Sequence, residues 1–353
     1  MGRTDIGAWY DQNHSQYQDL ITTVERLLTT LLKDESIPYH SVGGRLKEKR
    51  SLLAKWEQKA YTAPEQIMDV AGLRIITHTT EEVQKVCALI EQELLIDEKN
   101  SGDKAQKMGV DQVGYLSVHY IAKIDDERLK LREYKRFKGL CFEIQVRSLL
   151  QHAWAEIEHD RSYKFAGVLP LEIRRKFYLV AGTLELMDQE FNALSQEIDH
   201  YATHVKSQTK EGNLNIPIDS TSLLQFLQEY FKDYDHEKLS RHYSTNDVEL
   251  VAELSDFGIK TLQGLNELLA QKTPAEWAGA SSTNYVGILH VAMILKDTKK
   301  YFDYAWKAHW TVLNNAALEH WKNLGVSKGH LEQYITLKEY KPGHFDIEKR
   351  HPN

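Results

Sequence analysis

The sequence predicts a chain of two parts, the first built from helices and strands together and the second from helices. In residues 1–205, short apolar runs with strand character, such as DVAGLRII and FEIQVR, alternate with amphipathic helical stretches. In residues 223–353 the apolar residues recur at helical spacing almost throughout. Residues 206–222 are polar, contain Gly and Pro, and are predicted to form the linker between the two parts.

The composition is that of a soluble globular protein. Of the 353 residues, 42% are apolar and 27% are charged, and the net charge is −7. This acidic balance excludes a polycation that coats nucleic acid with its whole surface. The two cysteines, Cys87 and Cys141, make no disulfide framework and indicate a reducing compartment. We find no secretory leader, myristoylation pattern or membrane-length apolar run, and therefore expect a cytoplasmic protein with no membrane partner.

The elements of the first part are predicted from their periodicity. Apolar residues at helical spacing predict a helix over residues 8–34, and a Gly-Gly pair at positions 43–44 is expected to break the chain after it. Further helices are predicted over residues 45–59, 79–95, 148–164 and 171–204. Strands are predicted over residues 69–77, 114–124 and 140–147, with a polar loop at residues 100–113.

The second part carries helical patterns without a readable chemical motif. These patterns cover residues 222–231, 247–270, 284–313 and 315–325. Its tryptophans are expected in a core rather than on a stacking surface, and they are Trp277, Trp306, Trp310 and Trp321. Assembly into a homo-oligomer, binding of a regulatory partner and simple packing on the first part all remain open for these helices.

Polar side chains gather on one face of two predicted strands. In FEIQVR, Glu143, Gln145 and Arg147 point to the face opposite the apolar residues, because side chains alternate along a strand. In GYLSVHY, Tyr115, Ser117 and His119 share a face in the same way. Two half-exposed antiparallel strands with a solvated face would give the same pattern.

Basic residues and a second carboxylate suggest a phosphate site. Lys47, Ser51 and Lys55 are spaced to share one face of a helix, and Arg45 is placed at its start. Asp69 precedes an apolar strand that contains Arg74. Carboxylates at 69 and 143 suit a divalent cation that bridges substrate phosphates, although a solvated charged surface explains the basic helix equally. No Walker A pattern and no Gly-rich dinucleotide fingerprint is present.

One helix offers a competing metal site. His152, Glu156 and His159 share a face in the order HxxxExxH, which differs from the HExxH pattern of zinc proteases. A hydrogen-bonded network that supports another site is the alternative interpretation.

Four segments in order resemble the RelA/SpoT-type alarmone synthetase domain: RLKEKRSLLAKW, DVAGLRII, GYLSVHY and FEIQVRSLLQHAWAEIEHDRSYK. The resemblance covers residues 10–200 and is to stand-alone small synthetases, because the HD motif of the paired hydrolase domain is not visible. It implies an α+β, nucleotidyltransferase-like fold with a mixed sheet of about five strands flanked by helices. An all-helical domain is expected to follow.

Members of this family transfer the β,γ-pyrophosphate of ATP to the ribose 3′-OH of GDP or GTP, with magnesium. The resemblance therefore implies a Mg²⁺-dependent pyrophosphokinase whose partners are ATP and a guanosine nucleotide. By matching position, Asp69 and Glu143 would hold the metal, and Glu143 would be the base for the 3′-OH.

The remaining site residues are implied in the same way. Arg45 and Arg74 would sandwich the adenine, and Lys47, Ser51 and Lys55 would lie along the ATP phosphates. Tyr115 would stack on the acceptor guanine, with His119 and Gln145 lining its phosphate or ribose. Arg147, Glu156 and Lys164 match family positions and are given a supporting role.

The acceptor loop departs from the family pattern. Many members that make guanosine alarmones have PKxNGY before the stacking tyrosine, whereas this chain has VDQVGY, with Asp111 and Val113 in place of lysine and asparagine. A toxin-type relative that pyrophosphorylates the 3′-CCA end of tRNA, or makes adenosine alarmones, is therefore an alternative. Its RNA contacts would come from a basic loop and hairpin, namely Lys104, Lys107, Arg128, Lys130, Arg132, Lys135 and Arg136. A non-catalytic nucleotide sensor is a further alternative.

Overall fold

A mixed sheet and a largely helical region form the two compact units of the chain, residues 1–196 and 197–353. The structure is a computed structural model that describes residues 3–103, 117–164, 170–234, 239, 247–278, 284–306 and 312–349. In the first unit, the described helices are α1 (Arg3–Asp34), α2 (Lys49–Lys59), α3 (Thr80–Glu93), α4 (Leu149–Lys164) and α5 (Leu171–Lys210). The division between the units falls within α5.

The sheet of the first unit has six strands in the part of the chain that is described. They are β1 (Ser41–Leu46), β2 (Ala71–Thr77), β3 (Leu95–Ile96), β4 (Gly102–Asp103), β5 (Val118–Lys123) and β6 (Phe142–Ser148). Five of them follow the order β1-β2-β6-β5-β3, and β4 pairs with β5 beside β3. Only the β2–β6 pair is parallel among these, so the sheet is mixed. The predicted sheet of about five strands with flanking helices is confirmed.

Alternation along the strands places the core on one side of this sheet. Phe142, Ile144 and Val146 are fully buried, as are Leu73 and Ile75 on the neighbouring strand. They belong to one cluster with apolar residues of α1 and α3, such as Leu20, Val24, Val86 and Ile90. The polar residues that alternate with them on β6 therefore point away from the core, as the sequence predicts.

The prediction for residues 43–59 is wrong at its beginning. The Gly-Gly pair does not break the chain but lies within β1, and Arg45 is a strand residue that faces Gly72 of β2. The helix begins only at Lys49. A side chain at Gly44 would overlap Ile21 of α1, so the glycine allows the helix to pack closely on the strand. The backbone groups of residues 41–46 that face β2 are hydrogen-bonded to it. Such pairing between distant segments cannot be read from periodicity in the sequence.

Other element boundaries moved by a few residues. The strand predicted over residues 69–77 begins at Ala71, so Asp69 lies just before it. The strand predicted over 114–124 begins at Val118 in the described residues, and positions 114–116 lie outside them. Part of the predicted loop 100–113 pairs as β4. The helix predicted over residues 79–95 begins after the cap Thr79, whose side chain accepts from the Glu82 N–H.

The second unit is mainly helical, as predicted, but it is not all-helical. The described helices are α6 (Ser220–Tyr230), α7 (Asp247–Asp256), α8 (Leu262–Leu269), α9 (Pro274–Ala278), α10 (Tyr285–Lys296), α11 (Thr298–Lys300), α12 (Asn315–Leu324) and α13 (Lys328–Leu331). A π-helical turn at Tyr301–Ala305 follows α11. A three-stranded sheet, β7 (Val312–Asn314), β8 (Ile335–Lys341) and β9 (His344–Lys349), has the order β7-β9-β8. Gly343, with φ +73°, lies in the turn that joins β8 to β9.

The described tryptophans of the second unit lie in its apolar core. Trp277, Trp306 and Trp321 are buried, as predicted, and Trp310 lies outside the described residues.

Two predicted element boundaries of the second unit differ from the structure. Gly258, with φ +93°, follows the end of α7, so the predicted helix 247–270 is two helices. Within the predicted linker 206–222, α5 continues to Lys210, and Leu214, Ile216 and Ile218 pack against this core.

No described helix combines the length and apolar character that a membrane crossing requires.

The contrast between Gly43 and Gly44 gives a prediction about stability. Gly44→Ala should lower the free energy of unfolding by roughly 1–3 kcal/mol, because its methyl group would force Ile21 or the backbone to move. Gly43→Ala is the matched control, since a Cβ there meets nothing within 4 Å. Urea denaturation followed by circular dichroism measures both. Equal midpoints for the two variants would contradict the close packing of α1 on β1.

Candidate active site

A cavity of about 800 Å³ is lined by residues of β1, β2 and β6, by the start of α2 and by α4. The predicted site residues that line it are Arg45, Lys47, Ser51, Asp69, Arg74, Glu143, Gln145 and Glu156. Lys55, His119 and Arg147 do not line the cavity, but each contacts a residue that does. The structure thus brings together eleven of the thirteen predicted side chains, and the other two, those of Tyr115 and Lys164, are not described.

Strand register explains how distant segments meet at this cavity. Gly72 of β2 lies beside Arg45 on one neighbouring strand and beside Glu143 on the other. Arg74 lies in the next row, beside Gln145, which in turn faces His119 of β5. Paired residues present their side chains on the same face of a sheet. Because Gly72 has no side chain, space is left between Arg45 and Glu143, and the cavity occupies this region.

Asp69 is held between two lysines at the head of β2. Its Oδ2 accepts hydrogen bonds from Lys55 Nζ at 2.7 Å and Lys47 Nζ at 3.0 Å. Its Oδ1 is buried and has no hydrogen-bond partner among the residues that the structure describes. Burial raises the pKa of Asp69, but the hydrogen bonds and charges of Lys55 and Lys47 together outweigh burial and hold the pKa below its ordinary value. Asp69 is therefore ionised at neutral pH, with one oxygen left for a further ligand.

Glu143 accepts one hydrogen bond on each carboxylate oxygen. Oε1 lies 2.9 Å from His119 Nδ1, and Oε2 accepts from Gln145 Nε2 at 2.9 Å. Burial and the nearby charge of Asp69 raise the pKa of Glu143, but His119 and Gln145 lower it further, so the net pKa is below its ordinary value. Each oxygen keeps a second acceptor position. The carboxylate is thus ionised, oriented and able to accept a proton or a cation.

Arg74 is oriented by residues of α4 rather than by the sheet. Its Nη1 donates to Glu156 Oε1 at 2.9 Å and lies 3.5 Å from His152 Nδ1. Burial and the charge of Arg74 lower the pKa of His152, which favours the neutral ring. A guanidinium beside both His152 and Glu156 opposes a cation at this point, which disfavours the zinc alternative. The side chain of His159 lies outside the described residues.

Comparison with known proteins finds a family model that matches part of this chain. The model is described as "Region found in RelA / SpoT proteins" and matches residues 44–167, called here the RelA/SpoT region. Two relatives from Bacillus subtilis (strain 168) are similar to the chain: GTP pyrophosphokinase YjbM, 27% identical over 51% of this chain and 83% of its own length, and GTP pyrophosphokinase YwaC, 24% identical over 46% and 71%.

A solved structure is also similar to part of the chain. It is the crystal structure of the small alarmone synthetase 1 from Bacillus subtilis, which is 23% identical, with a TM-score of 0.47, over 54% of this chain and 98% of that chain. All predicted site residues, from Arg45 to Lys164, lie within the RelA/SpoT region. The altered acceptor loop VDQVGY, with Tyr115, also belongs to it but lies outside the described residues.

The RelA/SpoT region offers oxygen ligands for a hard divalent cation. Asp69 offers a buried oxygen with no hydrogen-bond partner among the described residues, and Glu143 offers unused lone pairs. Glu143 lies near enough to Asp69 for the charge of that carboxylate to raise its pKa. No group of three metal-ligating side chains is present among the residues described. This arrangement fits magnesium, which is commonly bound by one or two carboxylates together with water and substrate phosphates.

Three of the seven basic residues proposed as RNA contacts are paired with acids nearby. Arg128 donates to Glu93 and Asp125, Lys130 donates to Glu127, and Arg136 donates to Asp19 at 2.8 Å. Residues 128–130 and 135–137 form 3-10 turns rather than a hairpin. Lys104 and Lys107 lie outside the described residues.

Ser117 is a site residue to which the sequence analysis gives no role. Its Oγ lies 2.6 Å from His119 Nε2, at the far side of the ring from Glu143. Strand alternation had placed it on the same face as His119, and this was the only feature of the sequence that pointed to it.

The pairing of Asp69 with the two lysines predicts how stability depends on pH. Because the folded pKa is lowered, the pairing contributes fully above the ordinary value of 3.8 and is lost as pH falls through the folded value. Asp69→Asn should therefore cost roughly 1.5–3 kcal/mol of unfolding free energy at pH 7. The difference from the parent protein should shrink below about pH 4.

Urea denaturation at pH 7 and pH 3 measures this difference. Asp11→Asn is the control, because the Asp11–Lys49 pair is exposed and its loss should cost less than about 1 kcal/mol. A cost for Asp69→Asn that does not decline in acid would contradict the assignment.

Proposed function

We propose that the chain is a pyrophosphokinase that transfers the β,γ-pyrophosphate of ATP to the ribose 3′-OH of GDP or GTP and so makes (p)ppGpp. The observation that carries this proposal is one cavity, in a RelA/SpoT region, that combines two ionised carboxylates with basic residues suited to a polyphosphate. Relatives that match about half of the chain are named GTP pyrophosphokinases, which agrees with an enzyme of this class.

In this proposal the basic residues bind and orient ATP. Lys47 and Lys55 each carry three N–H donors, so each can contact a phosphate oxygen while still donating to Asp69. Ser51 adds a hydroxyl at the wall of the cavity. Arg45 and Arg74 lie on neighbouring strands and would hold the adenine between their planar guanidinium groups. Phosphoryl transfer depends mainly on such positioning and on charge neutralisation.

Magnesium held by Asp69 and Glu143 would neutralise phosphate charge and orient the pyrophosphate for transfer. Lys47 and Lys55 keep Asp69 ionised for this role, because their hydrogen bonds lower its pKa.

The chemical step needs one base. The 3′-oxygen of the acceptor forms a bond to the β-phosphorus of ATP, and the bond from that phosphorus to the oxygen bridging the α- and β-phosphates breaks. AMP leaves, and the proton of the 3′-OH passes to Glu143. Because the pKa of Glu143 lies below its ordinary value, the carboxylate is ionised at neutral pH and is free to accept the proton.

Three residues are proposed to form the part of the site that binds the acceptor nucleotide. Tyr115 is proposed to stack on the acceptor base, with His119 and Gln145 beside its ribose or phosphate. In the structure both of these residues contact Glu143, so they lie where the 3′-OH must approach.

A transfer assay tests the proposal. The purified chain is incubated with magnesium and ATP labelled at the γ-phosphate, and GDP, GTP, AMP, ATP and bulk tRNA are offered in separate reactions. We expect label on GDP and GTP. Label on adenosine nucleotides or on tRNA alone would overturn the acceptor assignment, and transfer to none of them would favour the sensor alternative.

Glu143→Gln should lower the rate of transfer by roughly 10²–10⁴-fold, because an amide cannot take the 3′-OH proton. Binding of ATP without metal, measured by calorimetry, should change little, since the lysines and arginines that hold ATP remain. Glu127→Gln is the control: this glutamate lies outside the cavity, pairs with Lys130, and should leave transfer unchanged. Retained turnover in Glu143→Gln would refute the role of Glu143 as the base.

A further inference from the structure

Two chains of hydrogen bonds end on the carboxylate of Glu143, one on each oxygen. The first runs from Ser117 Oγ to His119 Nε2 over 2.6 Å and from His119 Nδ1 to Glu143 Oε1 over 2.9 Å. The second runs from Arg147 Nη2 to Gln145 Oε1 over 2.9 Å and from Gln145 Nε2 to Glu143 Oε2 over 2.9 Å. The outer members, Ser117 and Arg147, are only 8% and 9% exposed.

The chemistry of the groups gives each chain a direction. An ionised carboxylate only accepts hydrogen bonds, so the Nδ1 of His119 must carry a proton. In the neutral ring Nε2 is then the acceptor, and the Ser117 hydroxyl donates to it. Arg147 only donates, so the amide oxygen of Gln145 faces Arg147 and the amide nitrogen faces Glu143. Glu143 thus sets the tautomer of His119, Ser117 holds the opposite side of its ring, and Arg147 sets the amide orientation of Gln145.

Strand geometry makes this arrangement rigid. His119 and Gln145 are directly paired in the register of β5 and β6, and Glu143 is two residues from Gln145 on the same face. Hydrogen bonds to both oxygens restrict rotation of the Glu143 carboxylate about its last bond. The second acceptor position of each oxygen is then held in a fixed direction. Small displacements of a reacting group are costly, since about 1 Å of misplacement can lower a rate 10²-fold.

We propose that Ser117 is a positioning residue for the transfer reaction: its hydrogen bond to Nε2 fixes the ring of His119, which holds the Glu143 carboxylate in place. Arg147 plays the corresponding part through Gln145. Neither residue lines the cavity, so both act through their neighbours. This inference rests on the proposed function, in which Glu143 takes the proton of the 3′-OH.

A pair of variants of equal shape tests Ser117. Ser117→Thr keeps a hydroxyl and Ser117→Val replaces it by a methyl group, while both add the same bulk. We expect kcat for transfer to fall roughly 10–100-fold in Ser117→Val relative to Ser117→Thr, with unchanged affinity for metal-free ATP. Ser101→Ala is the control: Ser101 is buried too, and its hydroxyl accepts from the Ile121 N–H of the same strand β5.

Nitrogen-15 NMR of the imidazole rings reads the tautomer without any turnover. The His119 signals are assigned by their loss in His119→Asn. We expect the Nδ1–H form in all three proteins, with the Nε2 signal shifted by a hydrogen bond in the parent protein and in Ser117→Thr and at the position of an unbonded nitrogen in Ser117→Val. A role limited to folding would lower the melting temperature without moving these signals.

The outcomes distinguish a failure of the positioning role of Ser117 from a failure of the proposed function. Equal kcat and equal His119 spectra in Ser117→Thr and Ser117→Val would overturn the positioning role. A loss of kcat in Ser117→Val that Ser101→Ala reproduces would also overturn it, since the effect would then be structural. If the parent protein transfers no pyrophosphate, the proposed function fails, and the spectra alone still decide whether the Ser117 hydroxyl holds the ring of His119.

Discussion

The site depends on one pairing, the parallel alignment of β2 with β6. This register places Gly72 beside Glu143 and Arg74 beside Gln145. It also brings Asp69, which precedes β2, within electrostatic reach of Glu143, although 74 residues separate the two in sequence. Parallel strands need a crossover connection, and here the chain between β2 and β6 supplies α3 and also β5, which carries His119. Without this pairing the two carboxylates would not share a cavity.

Burying two carboxylates side by side is unfavourable unless each is compensated. The structure solves this with separate partners. Asp69 is compensated by two ammonium groups, and Glu143 is compensated by an imidazole and an amide that are themselves held by Ser117 and Arg147. The net result is a lowered pKa for both acids. The same contacts stabilise the site and keep both carboxylates ionised, so that each can accept a cation or a proton.

Much of the first unit could be predicted from local patterns. Period-two alternation correctly separated Phe142, Ile144 and Val146 from the polar face of β6, and the four ordered segments pointed to the RelA/SpoT region that residues 44–167 match. The errors have physical causes. Residues 43–46 form an edge strand because β2 is there to pair with them. The two longer strands after residue 311, β8 and β9, are rich in charged residues, so few apolar residues mark their alternation.

The sequence by itself determined which residue types were available and on which face of each element they lie, because side-chain direction follows from a local repeat. It thereby identified Asp69, Arg74, Glu143 and Gln145 as candidates. Only the tertiary structure decided their partners: Asp69 pairs with two lysines, Arg74 pairs with Glu156, and His119 lies between Ser117 and Glu143. Partners are chosen by strand register and helix packing, which join segments distant in the chain and leave no periodic trace in the sequence.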